Sequence, residues 1–151
     1  MTSKTAPHAW HDLIQTGNAQ FAASRLNEAL AAYDQALNSV DRLLVDCHVD
    51  IALLISKIVT HHNRAATLLR MQRYSEADAA FGQGHAFAQA IVEEDAFPAH
   101  LRQAARCHGR LMFSEWQAFR SEHGHHLQEC PELLANPNTP CWNRTAAVTL
   151  H

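Results

Sequence analysis

Apolar residues recur along this chain at intervals of three and four, the spacing that lays a single stripe along an α-helix. The pattern predicts five helices and almost no strand. The first covers 8–23, with Trp10, Leu13, Gly17 and Phe21 on one stripe. The second covers 27–45 and carries an apolar series through Leu26, Ala29, Leu30, Tyr33, Ala36, Leu37 and Val40 to Leu43 and Leu44. The third covers 48–71, with Ile51, Leu54, Ile55, Ile58, His62, Ala65 and Leu69 in register. The fourth is expected to start on Ser75 as its N-cap and to run to 93, burying Ala77, Ala80, Phe81, Phe87 and Ile91. The fifth opens at Pro98, a residue suited to a first helical turn, and continues to 123 through Leu101, Ala105, His108, Met112 and Phe119. Beyond Gly124 the periodicity stops. Residues 124–151, with "CPELLANPNTPCW" inside them, read as an irregular tail rich in His and Cys. The fold class expected is therefore all-α, a single domain of antiparallel helix hairpins.

Self-comparison refines that expectation. In "LIQTGNAQFAASRLNEALAAYDQAL", the residues Gly17, Asn18, Ala19 and Phe21 on one helix are followed by Leu26, Glu28, Ala29, Tyr33 and Ala36 on the next. In "HHNRAATLLRMQRYSEADAAF", Asn63, Ala65, Leu68, Leu69, Tyr74, Glu76, Ala77 and Phe81 fall on the same pattern. The segment resembles a tetratricopeptide repeat twice over, across about 10–93. Small residues at Gly17, Ala29 and Ala36 let paired helices approach closely while the larger apolar groups fill the space around them. Gly17 corresponds to Ala65 and Ala29 to Ala77, each pair 48 residues apart, against a family period of about 34. The surplus fits longer second and third helices. The resemblance implies a first repeat over 8–45, a second over 48–93, a capping helix over 98–123, and a concave groove that binds peptides. Arg64 and His61 stand where the family usually has large apolar residues.

The same resemblance implies that first-helix positions line the groove, here Ile14, Asn18, Phe21, Asn63 and Ala66. Asn18 and Asn63 match asparagines that hold a peptide's C-terminal carboxylate in some relatives, although the lysines that complete that clamp are missing. Arginines are the available replacement. Arg102, Arg106 and Arg110 recur at i, i+4 and i+8, and a row of guanidiniums suits carboxylate or phosphate. The alternative for that row is a solvated face paired with Glu93, Glu94 or Asp95. The peptide-binding set expected is thus Asn18, Phe21, Asn63, Arg102 and Arg106, with an acidic protein segment as the partner.

Composition adds a second candidate. The chain holds 12 His, and only two of its 12 basic residues are lysines. His123, His126 and Cys130 are spaced i, i+3 and i+7, so a continuous helix would turn all three to one face. Cys141 could then complete a His2Cys2 set for zinc or copper. If Gly124 breaks the helix, His125 becomes equally available, and an exposed polar tail with loose metal affinity is the alternative. The spacing matches no common zinc-finger or metalloprotease pattern. His62 and His108 are expected on apolar faces as structural imidazoles, and Cys47 and Cys107 as small buried groups.

Charge and the remaining motifs exclude more than they assign. Lys plus Arg total 12 and Asp plus Glu 15, for a net charge of −3, so there is no basic field for nucleic acid. The first ten residues lack the apolar core of a secretory signal, and "IALLISKIV" is too short to span a bilayer. A cytoplasmic protein with reduced cysteines is the expectation. Neither a phosphate-binding loop nor a nucleophile elbow occurs, and "GQG" at 82–84 lies within a helical pattern, so no enzyme is predicted. An interaction module is the leading function and a metal-binding sensor or carrier the runner-up.

Overall fold

The structure is a computed structural model that describes residues 9–46 and 50–127. Five α-helices follow one another: α1 (Ala9–Ala22), α2 (Leu26–Asp46), α3 (Ile51–Arg70), α4 (Tyr74–Glu93) and α5 (Ala99–His123), with a 3-10 turn at Gly124–Leu127. No strand occurs among the described residues. The helical periodicity of the sequence is realised throughout. The second and third helices are long, with 21 residues in α2 and 20 in α3.

The two hairpins turn in the same way. Ser24 adopts φ 60° and Gln72 φ 59°, both left-handed. In the first turn the Arg25 amide donates to Gln20 carbonyl and the Ser24 amide to Phe21 carbonyl, at 2.9 and 3.0 Å. In the second, Arg73 donates to Leu68 and Gln72 to Leu69, again at 2.9 and 3.0 Å. This is the Schellman arrangement, in which a left-handed residue satisfies the last carbonyls of one helix and reverses the chain. Every bond of the first turn recurs 48 residues later, the same offset that relates Gly17 to Ala65.

Helix starts differ from the sequence expectation in three places. Asp50 caps α3, its carboxylate accepting from the Ala52 amide at 2.8 Å, so the helix begins at Ile51 rather than at 48. Ser75 is not the cap of α4. The Schellman turn places Arg73 at that position, without a side-chain capping bond, and Arg73 instead grips Glu76 at 2.8 and 2.5 Å. Pro98 stands at the N-cap of α5 in an extended conformation, one position before the first helical turn.

Each helix packs on its successor, and α3 also touches both α1 and α5. The close approaches are built on small residues. A Cβ on Gly17 would lie 2.5 Å from the Tyr33 ring, and one on Gly84 would lie 2.7 Å from both His61 Cβ and Met112 Sδ. Ala29, Ala36, Ala65 and Ala77 are fully buried at the corresponding helix contacts. The largest core cluster lies among α3, α4 and α5, around Ile58, Leu68, Phe81, Leu101, Met112 and Trp116. One carboxylate is buried within it. Asp78, 3% exposed, accepts from Trp116 Nε1 at 2.7 Å and from Arg120 Nε and Nη2 at 2.7 and 2.8 Å. That bidentate contact ties α4 to α5, and it satisfies a charge that would otherwise be costly to bury.

Cys107 is exposed, contrary to its expected burial, because α5 turns that side away from α4. Cys47 lies outside the described residues. Among the described residues no helix is long and apolar enough to cross a membrane.

Candidate functional site

The helix register fixes which of the expected groove residues meet. Asn18 and Phe21 are one turn apart on α1, and Asn63 and Ala66 are one turn apart on α3. Together with Tyr33 of α2 they line a single pocket of about 210 Å³. Asn18 is the centre of its polar network. Its Oδ1 accepts from Tyr33 OH at 2.7 Å and from Asn63 Nδ2 at 3.1 Å. Burial raises the Tyr33 phenol above its ordinary pKa, which keeps it a donor. With Oδ1 doubly engaged, Asn18 Nδ2 and the second N–H of Asn63 remain for a ligand, and both are donors. Ile14 does not join them: it is 8% exposed and belongs to the core.

A cation missed by the sequence reading stands beside this pocket. The Arg70 guanidinium lies 4.6 Å over the Phe21 ring, and its nitrogens donate to Phe21 carbonyl at 3.3 Å and Ser24 Oγ at 3.2 Å. Arg70 is on α3, two turns beyond Asn63 and one beyond Ala66, so the i, i+3 and i+7 spacing was the available signal.

Arg102 and Arg106 sit elsewhere. Arg102 pairs with Asp95 at 3.0 Å, the solvated alternative that the acidic cluster suggested. Arg106 Nη1 donates to Gln103 Oε1 at 3.0 Å, and Arg106 lines a separate cleft between α4 and α5, with Arg110, His85 and Phe113. The two linings share no residue with the Asn18 pocket.

The C-terminal histidines are brought together by stacking. The helix gives way to a 3-10 turn at Gly124, and Tyr74 of α4 carries both imidazoles: His123 at 4.8 Å and His126 at 4.5 Å between ring centroids. His125 lies 3.9 Å from His126. Among the described residues no three His, Cys, Asp or Glu side chains gather as a metal site would need. Cys130 and Cys141, the other members of the expected set, lie outside the described residues. His62 pairs with Glu115 of α5, and is thus a polar link between α3 and α5 more than an apolar-face residue.

A cavity of about 750 Å³ opens between α2, α3 and α4. Two ion pairs cross it from α2 to α3, Asp34 to Arg64 at 2.5 Å and Asp41 to Lys57 at 2.8 Å. Between them lies His61, which is 8% exposed and whose Nδ1 has no hydrogen-bond partner. Desolvation lowers its pKa to about 4, helped by the positive charges of Lys57 and Arg64, so the imidazole is neutral near pH 7.

No curated protein and no solved structure matches this chain. One family model matches residues 8–144, which takes in all five helices, and the chain therefore belongs to the family described as a protein of unknown function, DUF2753.

Proposed function

We propose that this chain is an interaction module of tetratricopeptide type whose α1–α3 face binds the acidic end of a peptide or protein partner. The observation that carries the reading is the convergence of Asn18 and Phe21 from the first hairpin with Asn63 and Ala66 from the second on one pocket. A site shared by two repeats is what a stacked array offers and a lone hairpin does not. The matching turns, 48 residues apart, support the repeat reading independently of the pocket. The open amide donors and the Arg70 guanidinium favour an acceptor-rich ligand, and a carboxylate is the simplest such group in a protein. The pocket, at about 210 Å³, suits a chain end or one side chain more than a whole small molecule.

The test is calorimetric titration of the full chain with two N-acetylated peptides ending in Asp-Glu, one with a free C-terminus and one amidated. The free acid binds more tightly, and Asn63→Ala or Arg70→Gln weakens it about tenfold, or about 1.4 kcal/mol. Equal heats for both peptides, or affinities unchanged in both variants, would remove the carboxylate from the account.

A further inference from the structure

We propose that the cleft between α2, α3 and α4 is a second binding site, and that it takes a short zwitterionic peptide of about three residues held by its two free ends. It lies apart from the Asn18 pocket and does not depend on the reading given to that pocket.

The ends of the cleft are set by helix register. Asp34 and Asp41 are seven residues apart on α2, and their partners Arg64 and Lys57 are seven apart on the antiparallel α3. At 1.5 Å per residue the two ion pairs stand about 10 Å apart. An extended peptide of three residues spans about the same length.

Each end keeps unused hydrogen-bonding capacity. Asp34 takes only the Nε hydrogen of Arg64, which leaves the terminal N–H groups of that guanidinium for a carboxylate. At the other end Lys57 meets Oδ1 of Asp41 and rests 4.4 Å over the Phe87 ring. Asp41 is half exposed there and offers its second oxygen to an ammonium group. The planar Arg64 fork suits a carboxylate better than Lys57, which is engaged by Asp41 and the Phe87 ring, so the ligand's carboxylate is placed toward Arg64 and its ammonium toward Asp41, the more exposed of the two carboxylates. Both carboxylates are about half exposed, so solvent screens these pairs and sharing their charges with a ligand costs less than it would for fully buried pairs.

The middle of the cleft is polar and underused. His61, more than nine-tenths buried, forms part of its floor, with Nδ1 sealed from solvent. The Asn38 and Gln83 side-chain amides also line the cleft, and neither is hydrogen-bonded to another described residue. Amides are suited to the N–H and C=O groups of a peptide backbone, since each offers a donor and an acceptor. Leu37 and Ala86 supply an apolar wall. The volume of about 750 Å³ lies in the range of sites for small ligands.

The experiment follows the side-chain amide resonances of Asn38 and Gln83 in the nitrogen-15-labelled full chain as trialanine is added. Four probes are compared: trialanine with free ends, N-acetylated, C-amidated, and capped at both ends. Saturable shifts at both amides with the free peptide, at least tenfold weaker with either single cap and absent with both, are expected. Asn38→Ala and Gln83→Ala change exposed positions and leave the fold intact, and each weakens binding at least threefold. Asn63→Ala leaves this binding unchanged, which separates it from the α1–α3 pocket. Absence of shifts at 20 mM trialanine, equal affinity for capped and free peptide, or loss of binding in Asn63→Ala would each overturn the proposal.

Discussion

The α1–α2 and α3–α4 hairpins share a backbone and differ in chemistry. Their turns use the same hydrogen bonds and the same left-handed residue, and their small residues match at Gly17 and Ala65, Ala29 and Ala77, Ala32 and Ala80, Ala36 and Gly84. The larger positions diverge. Tyr33 of the first hairpin, bonded to Asn18, stands where the second has Phe81, with Ala66 in place of Asn18. Leu30 and Ile14 of the first stand where the second has Asp78 and His62, which engage Trp116 with Arg120 and Glu115 on α5. Close helix approach is thus maintained by small side chains in both copies, while polar groups follow what the neighbouring helix brings. The second hairpin is locked to α5. The first keeps its polar atoms at an open pocket.

That contrast can be broken most sharply at Asp78. Replacing it with the first hairpin's residue, Asp78→Leu, leaves Trp116 Nε1 without its acceptor and removes the bidentate carboxylate that Arg120 grips across α4 and α5. We expect a loss of about 3–5 kcal/mol, read from the urea midpoint. A change under 1 kcal/mol would mean that apolar packing alone joins α4 to α5.

His61 corresponds to Leu13 of the first hairpin and gives the second a pH dependence. Its pKa is about 4 folded against 6.5 ordinarily, so below pH 6.5 the unfolded chain binds the proton better. Stability from this group is intact above pH 6.5, falls as pH drops, and levels off below about pH 4, with a total loss of about 3 kcal/mol. His61→Leu should flatten that part of a thermal-melt profile between pH 7 and 4. An unchanged slope would place the acid sensitivity on other groups.

The small-residue contacts should be unequal. Gly17→Ala drives a Cβ into the Tyr33 ring and costs about 2 kcal/mol by denaturant titration. Gly109→Ala meets only Ala88 Cβ at 3.2 Å and costs less than half as much, allowing for the helix propensity that alanine adds. The smallest effect tests the shared backbone itself. Ser24→Gly and Gln72→Gly each relieve a left-handed residue and should raise stability by a similar amount, about 0.5 kcal/mol. Opposite signs at the two turns would undo their equivalence.

Much of this fold was legible because it follows from local spacing. The stripes located five helices, and the recurrence of Gly17 and Ala29 at Ala65 and Ala77 located two hairpins. The meeting of Asn18 with Asn63 was legible from helix spacing alone, although at the 48-residue offset Asn18 corresponds to Ala66 and Asn63 to Gln15. What escaped depends on pairing between unlike helices. Asp78 sits beside the buried Ala77, and Trp116 one turn beyond Met112, but nothing in either spacing reveals that they touch. His61 was noted as out of place among apolar positions, yet the two ion pairs flanking it arise from the register of α2 against α3, which no repeat encodes. Arg102 and Arg106 share a helix face correctly, but that face serves the α4–α5 cleft and Asp95.

The central claim is that the face shared by the two hairpins receives a carboxylate. Its most direct measurement is the side-chain amide spectrum of the full chain, nitrogen-15-labelled, titrated with the free-acid Asp-Glu peptide. The account predicts saturable shifts of the Asn18 and Asn63 side-chain amides at the same concentration as the calorimetric midpoint. Binding accompanied by no movement of either amide, or by shifts confined to residues of α5, would contradict it.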